Sequence, residues 1–252
     1  MVHEFVPSAV LGELRQLSTC VVASAIESFA VRLPNVGFTD SSVRCMFPEF
    51  PTVIGYAMTA KIKTATPPMG GRTYYYWRTD WWKQVLTIPA PRIVVLEDED
   101  HPPGLGAFVG EVHTNILRAL GCVAVLTNGA VRDLPEVRAT GMQLFAGNIA
   151  VSHAYAHVSG FGEPVAVGHL KVKPGDLLLG DLHGVVSVPR EIAAQVPAVA
   201  QGILERRRHV VDLCRPECFT VDCLEAAEGQ LRSMENKERE MIANTETKRG
   251  RP

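Results

Sequence analysis

Residues 110–141 read GEVHTNILRALGCVAVLTNGAVRDLPEVRATG and alternate between helical and extended patterns. Glu111–Leu120 has a helical pattern, and Val123–Thr127 is a short apolar run typical of a buried strand. A second helical segment, Leu134–Thr140, precedes Gly141, and glycine is the usual residue just beyond a helix C-terminus. A helix, a strand and a further helix in direct succession predict a parallel sheet with helices packed on it.

Further extended segments lie on both sides of this stretch. They are Thr52–Thr64, Arg92–Glu97, Gln143–Ala146, Val151–Val158, Val165–Val172, Asp176–Leu179 and Val185–Val188. After Gly141 the strands follow one another without helices, and residues 173–176 and 181–184 have the composition of hairpin turns. The sequence therefore predicts an α/β fold with a parallel layer and an antiparallel layer.

Helical patterns also occupy the N-terminal end of the chain. An amphipathic segment, Pro7–Leu17, comes before Ser18 and Thr19, which are candidate caps for a helix running towards Ala30. Two helices are therefore predicted before the first strand.

The C-terminal end has two more helical segments, over residues 189–208 and 224–243. The second is rich in Glu, Lys and Arg, and the final TETKRGRP is predicted to be disordered. The similarity described below ends before the charged helix. We therefore predict a single domain over residues 1–208 and a helical extension over residues 209–252.

The 252 residues include 25 basic and 27 acidic side chains. This near balance gives no global charge to attract nucleic acid or an anionic membrane, so it favours a small molecule or another protein as the partner. Residues 1–20 lack the apolar run of a signal peptide, and no stretch has the length of a membrane span. The six cysteines, including Cys214, Cys218 and Cys223 without a CxxC pair, are interpreted as reduced thiols of a cytoplasmic protein.

The stretch quoted above also contains a candidate anion site. Gly110 and Glu111 stand at a predicted helix start, where the backbone N–H groups of the first turn point outward. Those of Val112 and His113 are therefore candidates for binding a carboxylate.

A loop with Arg132 and Asp133 follows the strand that ends at Thr127. In a parallel sheet this loop and the helix start at Glu111 both lie at the carboxyl edge of the strands, where ligands bind. Two segments that are distant in sequence are thus predicted to converge on one crevice.

Part of this loop fits a purely structural role equally well. In that interpretation Asp133 is the N-cap of the helix over Leu134–Thr140, and Glu136 closes a capping box. The cap accounts neither for Arg132, which by itself fits a surface ion pair, nor for Glu111. The residues alone fit both roles of Asp133, that of a helix cap and that of a catalytic residue.

The spacing of these residues resembles that of a known enzyme family. Glu111, twenty intervening residues, Arg132-Asp133, two more residues and Glu136 are similar to the acid-x20-Arg-Asp-x2-acid signature of the class II pyruvate aldolases. These enzymes act on 4-hydroxy-4-methyl-2-oxoglutarate or 4-carboxy-4-hydroxy-2-oxoadipate and share their fold with the regulator of ribonuclease activity A. The first acid of the family is usually aspartate, where this chain has Glu111.

The resemblance extends from about Leu17 to Pro189. It includes Leu17-Ser18-Thr19 before an early helix and Lys173–Leu177 before the final hairpin. It implies a three-layer β/β/α domain of the swivelling-domain type, with extra terminal helices in this chain. It also implies a homo-oligomer, either a trimer or a hexamer, with active sites between neighbouring subunits.

The resemblance further implies a divalent metal ion, Mg²⁺ or Mn²⁺. Asp133 and water would hold it, and oxygen ligands suit such a hard cation. Glu111 and Glu136 would orient the waters around the ion.

The implied substrate is a small 2-oxo acid. Arg132 would hold its carbonyl or enolate oxygen, and the N–H groups near Val112 and His113 would hold its carboxylate. Cleaving a 4-hydroxy-2-oxo acid and decarboxylating oxaloacetate leave the same pyruvate enolate, whose charge a cation and a guanidinium stabilise without a lysine imine. The predicted function is therefore a metal-dependent lyase. The alternative is a non-catalytic regulator that binds and inhibits a ribonuclease.

The segment Val151–Val158, VSHAYAHV, alternates so that His153, Tyr155 and His157 are predicted on one face of a strand. The two histidines would lie roughly 13 Å apart at about 3.3 Å per residue, too far to bind one metal ion together. We predict a polar interface between subunits here. Contact of one histidine with substrate is the alternative.

An aromatic cluster, Trp77, Trp81 and Trp82, lies in YYYWRTDWWKQVL. Such a density of aromatic side chains predicts a core anchor or a subunit interface. A lid over the active site is the functional alternative.

Overall fold

The structure is a computed structural model that describes residues 5–69, 78–217 and 219–248. The chain divides into two compact units. The first, called the sheet unit, is Asn35–Pro189. The second, called the helical unit, comprises the described residues before and after it. Every residue of the candidate site lies in the sheet unit.

Thirteen short or medium strands, all in the sheet unit, are described. In chain order they are β1 Arg44–Cys45, β2 Val53–Lys63, β3 Arg92–Asp98, β4 Ala107–Val109, β5 Cys122–Thr127, β6 Ala130–Val131, β7 Gln143–Ala146, β8 Asn148–Ile149, β9 His157–Phe161, β10 Val165–Val167, β11 Leu170–Val172, β12 Leu177–Asp181 and β13 Gly184–Val188.

The described helices are divided between the two units. In chain order they are α1 Ser8–Leu14, α2 Thr19–Ser28, α3 Thr79–Val85, α4 Glu111–Ala119, α5 Leu134–Thr140, α6 Val196–Leu213 and α7 Val221–Lys248. The sheet unit contains α3, α4 and α5, and the helical unit contains the other four.

The main sheet has eight strands in the order β1-β7-β5-β3-β2-β12-β13, with β9 paired to β2 beside this path. Strand β2 joins its two halves. It runs parallel to β3, with Tyr56 opposite Arg92, and antiparallel to β12, with Tyr56 opposite Leu177. The prediction of parallel and antiparallel strands is therefore confirmed, and β2 is where they meet.

The side chains of the central strands alternate between two separate cores. In β3, Ile93 and Val95 pack with the hairpin of β10 and β11, whereas Val94 and Leu96 pack with helices α3, α4 and α5. Strands buried on both faces read as continuous apolar runs, which is why these segments were recognisable in the sequence. Hairpin, sheet and helices form the three layers of the predicted β/β/α domain.

A second, three-stranded parallel sheet extends the main one. Its order is β4-β6-β8, and these strands follow β3, β5 and β7 along the chain. At the carboxyl edge, each of these three parallel strands is therefore interrupted, and the chain continues as a strand of the small sheet.

The helical unit packs its helices through apolar faces. Ser18 caps α2 by accepting a hydrogen bond from the Val21 N–H at 3.4 Å, as predicted. Val22 and Ile26 of α2 are buried, and so is Ile203 of α6. Among the described residues, no single helix is both long and apolar enough to cross a membrane, and only α1 with α2, bent by 112°, passes such a test as a pair.

Two predicted extended segments have different structures. The strand predicted over Val151–Val158 begins only at His157, because β2 pairs with this segment from His157 onward. The strand predicted over Val165–Val172 is a hairpin, because Gly168 and His169 have φ values of 48° and 65° and reverse the chain. Alternating polarity predicts a strand only where a neighbouring strand supplies hydrogen bonds.

The two predicted turns also have different outcomes. Residues 181–184 connect β12 and β13 with Asp181 opposite Gly184, which confirms a hairpin. Residues 173–176 do form a turn, in which Asp176 accepts a hydrogen bond from the Lys173 N–H at 2.7 Å. This turn connects β11 and β12, which belong to different sheets, so the hairpin predicted there is wrong.

The C-terminal helices differ from the prediction at their ends. Helix α6 begins at Val196 instead of residue 189, because an earlier start would put Pro197 in a helix interior, where proline lacks an N–H and clashes with the preceding turn. Helix α7 continues through Lys248, so the predicted disorder is wrong for residues 245–248, and residues 249–252 lie outside the described range. The predicted boundary after Arg208 falls inside α6.

Two leucines test the assignment of the helix-facing core. Leu117 of α4 is fully buried, whereas Leu86, just beyond α3, is 52% exposed. We expect Leu117→Ala to lower the free energy of unfolding by about 2–5 kcal/mol, because it leaves a cavity. Leu86→Ala should lower it by less than about 1 kcal/mol. Urea unfolding followed by circular dichroism measures both, and equal losses would contradict this core.

Candidate active site at the carboxyl edge of the parallel strands

The edge is held together where β3 and β5 end. The Asp98 N–H donates to the Asn128 side-chain oxygen at 2.7 Å, and the Asn128 amide nitrogen donates back to the Asp98 carbonyl at 3.0 Å. Gly147, at the break between β7 and β8, lies so close that an added Cβ would be 2.3 Å from the Asn128 carbonyl oxygen. This tight packing sets the direction in which β4, β6 and β8 continue.

Arg132 and Asp133 leave β6 beside the start of α4. The Arg132 N–H donates to the Val109 carbonyl at 2.9 Å, which joins this loop to the end of β4. The Arg132 Nε donates to Asp133 Oδ1 at 2.9 Å, and the Glu111 N–H donates to Asp133 Oδ2 at 3.1 Å. The structure thus brings together the predicted helix start and the predicted Arg-Asp loop.

Asp133 differs from an ordinary helix cap. It precedes α5 in a left-handed conformation, with φ 55° and ψ 43°, and its side chain makes no capping hydrogen bond to α5 in the described structure. Its carboxylate instead caps the neighbouring helix α4 through the Glu111 N–H. The geometry predicted by the capping-box alternative is therefore not the one found.

Gly110 makes room for this arrangement. A Cβ added at Gly110 would lie 2.5 Å from Asp133 Oδ2 and 3.1 Å from the Arg132 Cγ. A side chain at position 110 would therefore push the carboxylate away from the helix start. The absence of a side chain at Gly110 therefore allows the carboxylate to lie against the helix start.

The electrostatics keep Asp133 ionised. Partial burial alone would raise the pKa of this carboxyl group. The hydrogen bonds from Arg132 and from the Glu111 N–H, with the positive charges of Arg132 and His153, outweigh it and hold the pKa of Asp133 below its usual range. The Arg132 and Asp133 side chains are 31% and 30% exposed, respectively.

The other predicted residues lie in the first turns of α4 and α5, the helices that begin beside this pair. Glu111 and Glu136 are exposed there. Val112 follows Glu111 and is 52% exposed, so this part of the first turn of α4 faces the surface. His113, the next residue, is fully buried.

The His113 ring lies in an aromatic cluster beneath the helix start. Ring centroids are 4.7 Å away for Phe108, 5.2 Å for Trp82 and 6.3 Å for Trp81. Burial lowers the pKa of His113 to about 3, so the ring is neutral. Trp81 is fully buried, which confirms the predicted core anchor, and Trp77 lies outside the described residues.

Two features of the edge were missed by the sequence prediction. Asp98 is buried at the end of β3, where burial raises its pKa and the Gly104 N–H donates to Oδ2 at 2.8 Å. The predicted strand stopped one residue short of it. His153 lies on the loop beside β4 instead of on a strand, with Nδ1 2.6 Å from the Ala107 carbonyl oxygen.

The donor set fits a divalent cation of the kind that the resemblance implies. Each Asp133 oxygen has one hydrogen bond from the protein, and a carboxylate oxygen has a further lone pair for a cation. In the described ranges no three His, Cys, Asp or Glu side chains form a ready-made metal site. Mg²⁺ commonly binds through one or two carboxylates and keeps several waters, and a single carboxylate such as that of Asp133 fits this mode of binding.

The buried His113 predicts a loss of stability in acid. Its pKa is lower in the folded than in the unfolded protein, so the unfolded state binds the proton. The stability due to neutral His113 is complete above about pH 6.5 and falls by up to about 1.4 kcal/mol per pH unit below it. Urea unfolding at pH 7 and pH 5 should therefore show a smaller pH effect in His113→Leu than in wild type.

His157→Asn serves as the control for removing one histidine. It should keep the wild-type pH effect, since the half-buried His157 lies at the start of β9. An unchanged pH effect in His113→Leu would show that His113 is not a buried neutral ring.

Comparison with known sequences identifies relatives of this chain. The profile of a family described as RraA-like, Aldolase/RraA, matches residues 19–187. A Halalkalibacterium halodurans protein provisionally named 4-hydroxy-4-methyl-2-oxoglutarate aldolase is 26% identical over 85 residues, 33% of this chain and 40% of that protein. An uncharacterized Methanocaldococcus jannaschii protein is 27% identical over 99 residues, 36% of this chain and 44% of that protein. The matched part is less than half of either relative.

Solved structures share the fold. An uncharacterized protein from Pseudomonas syringae pv. tomato superposes with a TM-score of 0.69 at 18% identity, covering 90% of this chain and 97% of that chain. Streptomyces coelicolor RraAS2, described as an unusual member of the RNase ES inhibitor RraA protein family, superposes with a TM-score of 0.64 at 19% identity, covering 82% and 98%. The family profile spans more than half of the chain and all of the site residues, and the protein belongs to the RraA-like family, which includes aldolases and ribonuclease inhibitors.

Proposed function

We propose that this protein is a divalent-metal-dependent lyase that cleaves a 4-hydroxy-2-oxo acid to pyruvate, decarboxylates oxaloacetate, or does both. The observation that carries the proposal is the ionised Asp133, held between Arg132 and the start of α4, where Gly110 has no side chain. A carboxylate, a guanidinium and a helix N-terminus at one point match a 2-oxo acid, which has a carboxylate beside a polarisable carbonyl.

Substrate binding uses the start of α4. The N–H groups of Val112 and His113, the two predicted donors, lie in its first turn, where the helix dipole favours an anion. Val112 is exposed and His113 is buried, so the Val112 N–H is the one proposed to receive the substrate carboxylate. The buried His113 ring holds this turn against Trp82 and Phe108, so the donor is positioned before the substrate arrives.

Arg132 acts on the charge that develops during the reaction. Breaking the bond beyond the 2-oxo group leaves a pyruvate enolate, and the guanidinium donates hydrogen bonds to its oxygen. Asp133 orients Arg132 through the 2.9 Å hydrogen bond to Nε, which leaves the terminal nitrogens of the guanidinium for the substrate. Asp133 would hold the cation, which supplies a second positive charge for the enolate, while Glu111 and Glu136 orient solvent.

The reaction does not require a lysine imine in this arrangement. Lys61 and Lys63 belong to β2 and Lys83 belongs to α3. The Lys61 Nζ lies 3.5 Å from Glu99 in an ion pair. None of these three lysines lies on the loop that carries Arg132 or on the helix that begins at Glu111.

The protein is also proposed to be a homo-oligomer, a trimer or a hexamer, with the site beside a neighbouring subunit. Large apolar side chains are exposed on the segments that form the edge: Leu105 63%, Val112 52%, Ile149 56%, Val151 93% and Tyr155 48%. Exposed apolar side chains concentrated in these segments support the proposal of an interface here. Regulation of a ribonuclease, the alternative function, rests on family membership alone.

Assays with and without cation test the proposed reaction. We expect pyruvate from a 4-hydroxy-2-oxo acid or from oxaloacetate with Mg²⁺ or Mn²⁺, loss of this activity after EDTA treatment, and recovery when the cation is restored, since the cation supplies part of the electron sink. Pyruvate is measured by coupled oxidation of NADH. Full turnover in metal-free buffer, or a protein adduct trapped by borohydride, would contradict the metal-dependent mechanism.

Substitutions at the Arg-Asp pair separate catalysis from helix capping. Asp133→Asn keeps the size of the side chain, and asparagine caps helices and adopts the left-handed conformation readily, so the fold should persist. We expect it to abolish pyruvate formation, because the charge is lost. Arg132→Lys should lower kcat roughly a hundredfold or more, since lysine lacks the planar fork.

Arg138→Lys is the matched control. Arg138 lies in α5 and pairs with Glu49 at 2.9 Å on the surface, so this change should leave kcat unchanged. Thermal melting shows whether all three variants remain folded. If Asp133→Asn turned over substrate at the wild-type rate, the assignment of Asp133 as the metal ligand would be wrong, and so would the proposed function.

A further inference from the structure

His153 lies next to the candidate site on a loop that is held at several points. The Ala107 N–H of β4 donates to the Ser152 carbonyl at 2.9 Å, and the Tyr155 N–H donates to the Thr64 carbonyl at 3.0 Å. These bonds fasten the residues on either side of His153 to β4 and to the end of β2. Position 153 is therefore fixed by the sheet, although the loop itself has no strand there.

The backbone around His153 is packed closely. A Cβ added at Gly106 would lie 2.4 Å from the His153 carbonyl oxygen. Ala154 has φ 47°, a left-handed conformation that residues other than glycine seldom adopt, and its N–H donates to the Ser152 hydroxyl at 3.0 Å. Strained backbone of this kind persists only where the surrounding structure holds it, and it is concentrated at functional sites.

The contact at Nδ1 determines which nitrogen of the His153 ring carries the hydrogen. Nδ1 lies 2.6 Å from the Ala107 carbonyl oxygen, and a carbonyl oxygen only accepts hydrogen bonds. The hydrogen of the neutral ring is therefore on Nδ1. In this tautomer Nε2 is the acceptor nitrogen of the ring.

The same short strand connects His153 with the Arg-Asp pair. Strand β4 contacts the His153 loop through Ala107 and accepts the Arg132 N–H at Val109, and the next residue, Gly110, begins α4. The His153 ring and the Arg132 backbone therefore contact carbonyl groups of the same strand that are two residues apart.

The proposed reaction needs a group that carries a proton, and the Arg-Asp pair does not supply one. A guanidinium is not deprotonated in proteins, so Arg132 cannot accept a proton. In the proposed function the Asp133 carboxylate holds the cation and is hydrogen-bonded through both oxygens, so it is not the group that carries the proton. An imidazole is the side chain best matched to proton transfer near neutral pH.

We infer that His153 is a further catalytic residue, the proton carrier of the lyase reaction, an inference that rests on the proposed function. The neutral ring takes the proton of the C4 hydroxyl at Nε2 while the C3–C4 bond breaks. The electron pair of that bond passes to the 2-oxo group as pyruvate enolate, and C4–O becomes a carbonyl. The imidazolium then returns the proton to C3, which gives pyruvate and restores the neutral ring.

Two substitutions separate proton transfer from the structural role of His153. The amide nitrogen of His153→Asn stands where Nδ1 does, so it keeps a donor for the Ala107 carbonyl but carries no proton. His153→Ala loses both functions and leaves space for added imidazole. The matched control is His157→Asn, since the Nδ1 of His157 likewise lies 2.7 Å from a backbone carbonyl oxygen, that of Tyr155.

The decisive measurements are pyruvate formation and the exchange of pyruvate C3 hydrogens in D2O, followed by proton NMR with Mg²⁺ present. We expect both rates to fall about a hundredfold or more in His153→Asn and His153→Ala, and to be unchanged in His157→Asn. Imidazole should restore part of the rate of His153→Ala in proportion to its concentration. Mn²⁺ affinity, measured by calorimetry, should equal that of wild type in every variant.

Different failures have different meanings. Wild-type exchange by His153→Asn, or absence of imidazole rescue in folded His153→Ala, would overturn the role of His153 and leave the lyase standing. Weaker Mn²⁺ binding by His153→Asn would also overturn it, because the residue would then act on the metal site. A wild-type protein that neither forms pyruvate nor exchanges its hydrogens would overturn the proposed function itself.

Discussion

The carboxylate of Asp133 joins two chain segments 22 residues apart, because one oxygen accepts the Glu111 N–H and the other accepts Nε of Arg132. This bridge requires a left-handed backbone at Asp133 and the absence of a side chain at Gly110. The loop and the helix start are thereby locked to each other. In the proposed function, a substrate would meet a guanidinium and a helix N-terminus whose separation is already set, so little ordering would be required on binding.

The sheet supplies the rigid support for this bridge. Strands β3, β5 and β7 break at the carboxyl edge and resume as β4, β6 and β8, so that the segments leading to α4 and to Arg132 run side by side. Beneath them, the neutral His113 ring packs against Phe108 and Trp82. The buried His113 thus fixes the first turn of α4, next to the exposed Val112, to the core.

Some residues of the candidate site were predicted from the sequence, and others were recognised only in the structure. Arg132, Asp133, Glu111 and Glu136 were selected by spacing and by family resemblance, and the structure brings the first three together. His153 was noticed in the sequence but placed on a strand with His157, because alternation of polar and apolar residues predicts a strand wherever it occurs. In the structure its ring is turned towards β4, and this position, not the pattern, supports a catalytic role.

Local pattern was enough for the elements whose identity depends on neighbours in the chain. Helix α5 over Leu134–Thr140 and strand β7 over Gln143–Ala146 have the predicted limits, since Gly141 ends the helix and an apolar run forms the strand. Which strands pair, where Val165–Val172 folds back and what Asp133 contacts were decided only by the tertiary structure. The reason is physical: hydrogen bonds such as that from Glu111 to Asp133, and close approaches such as that at Gly110, depend on distances between segments that local sequence does not encode.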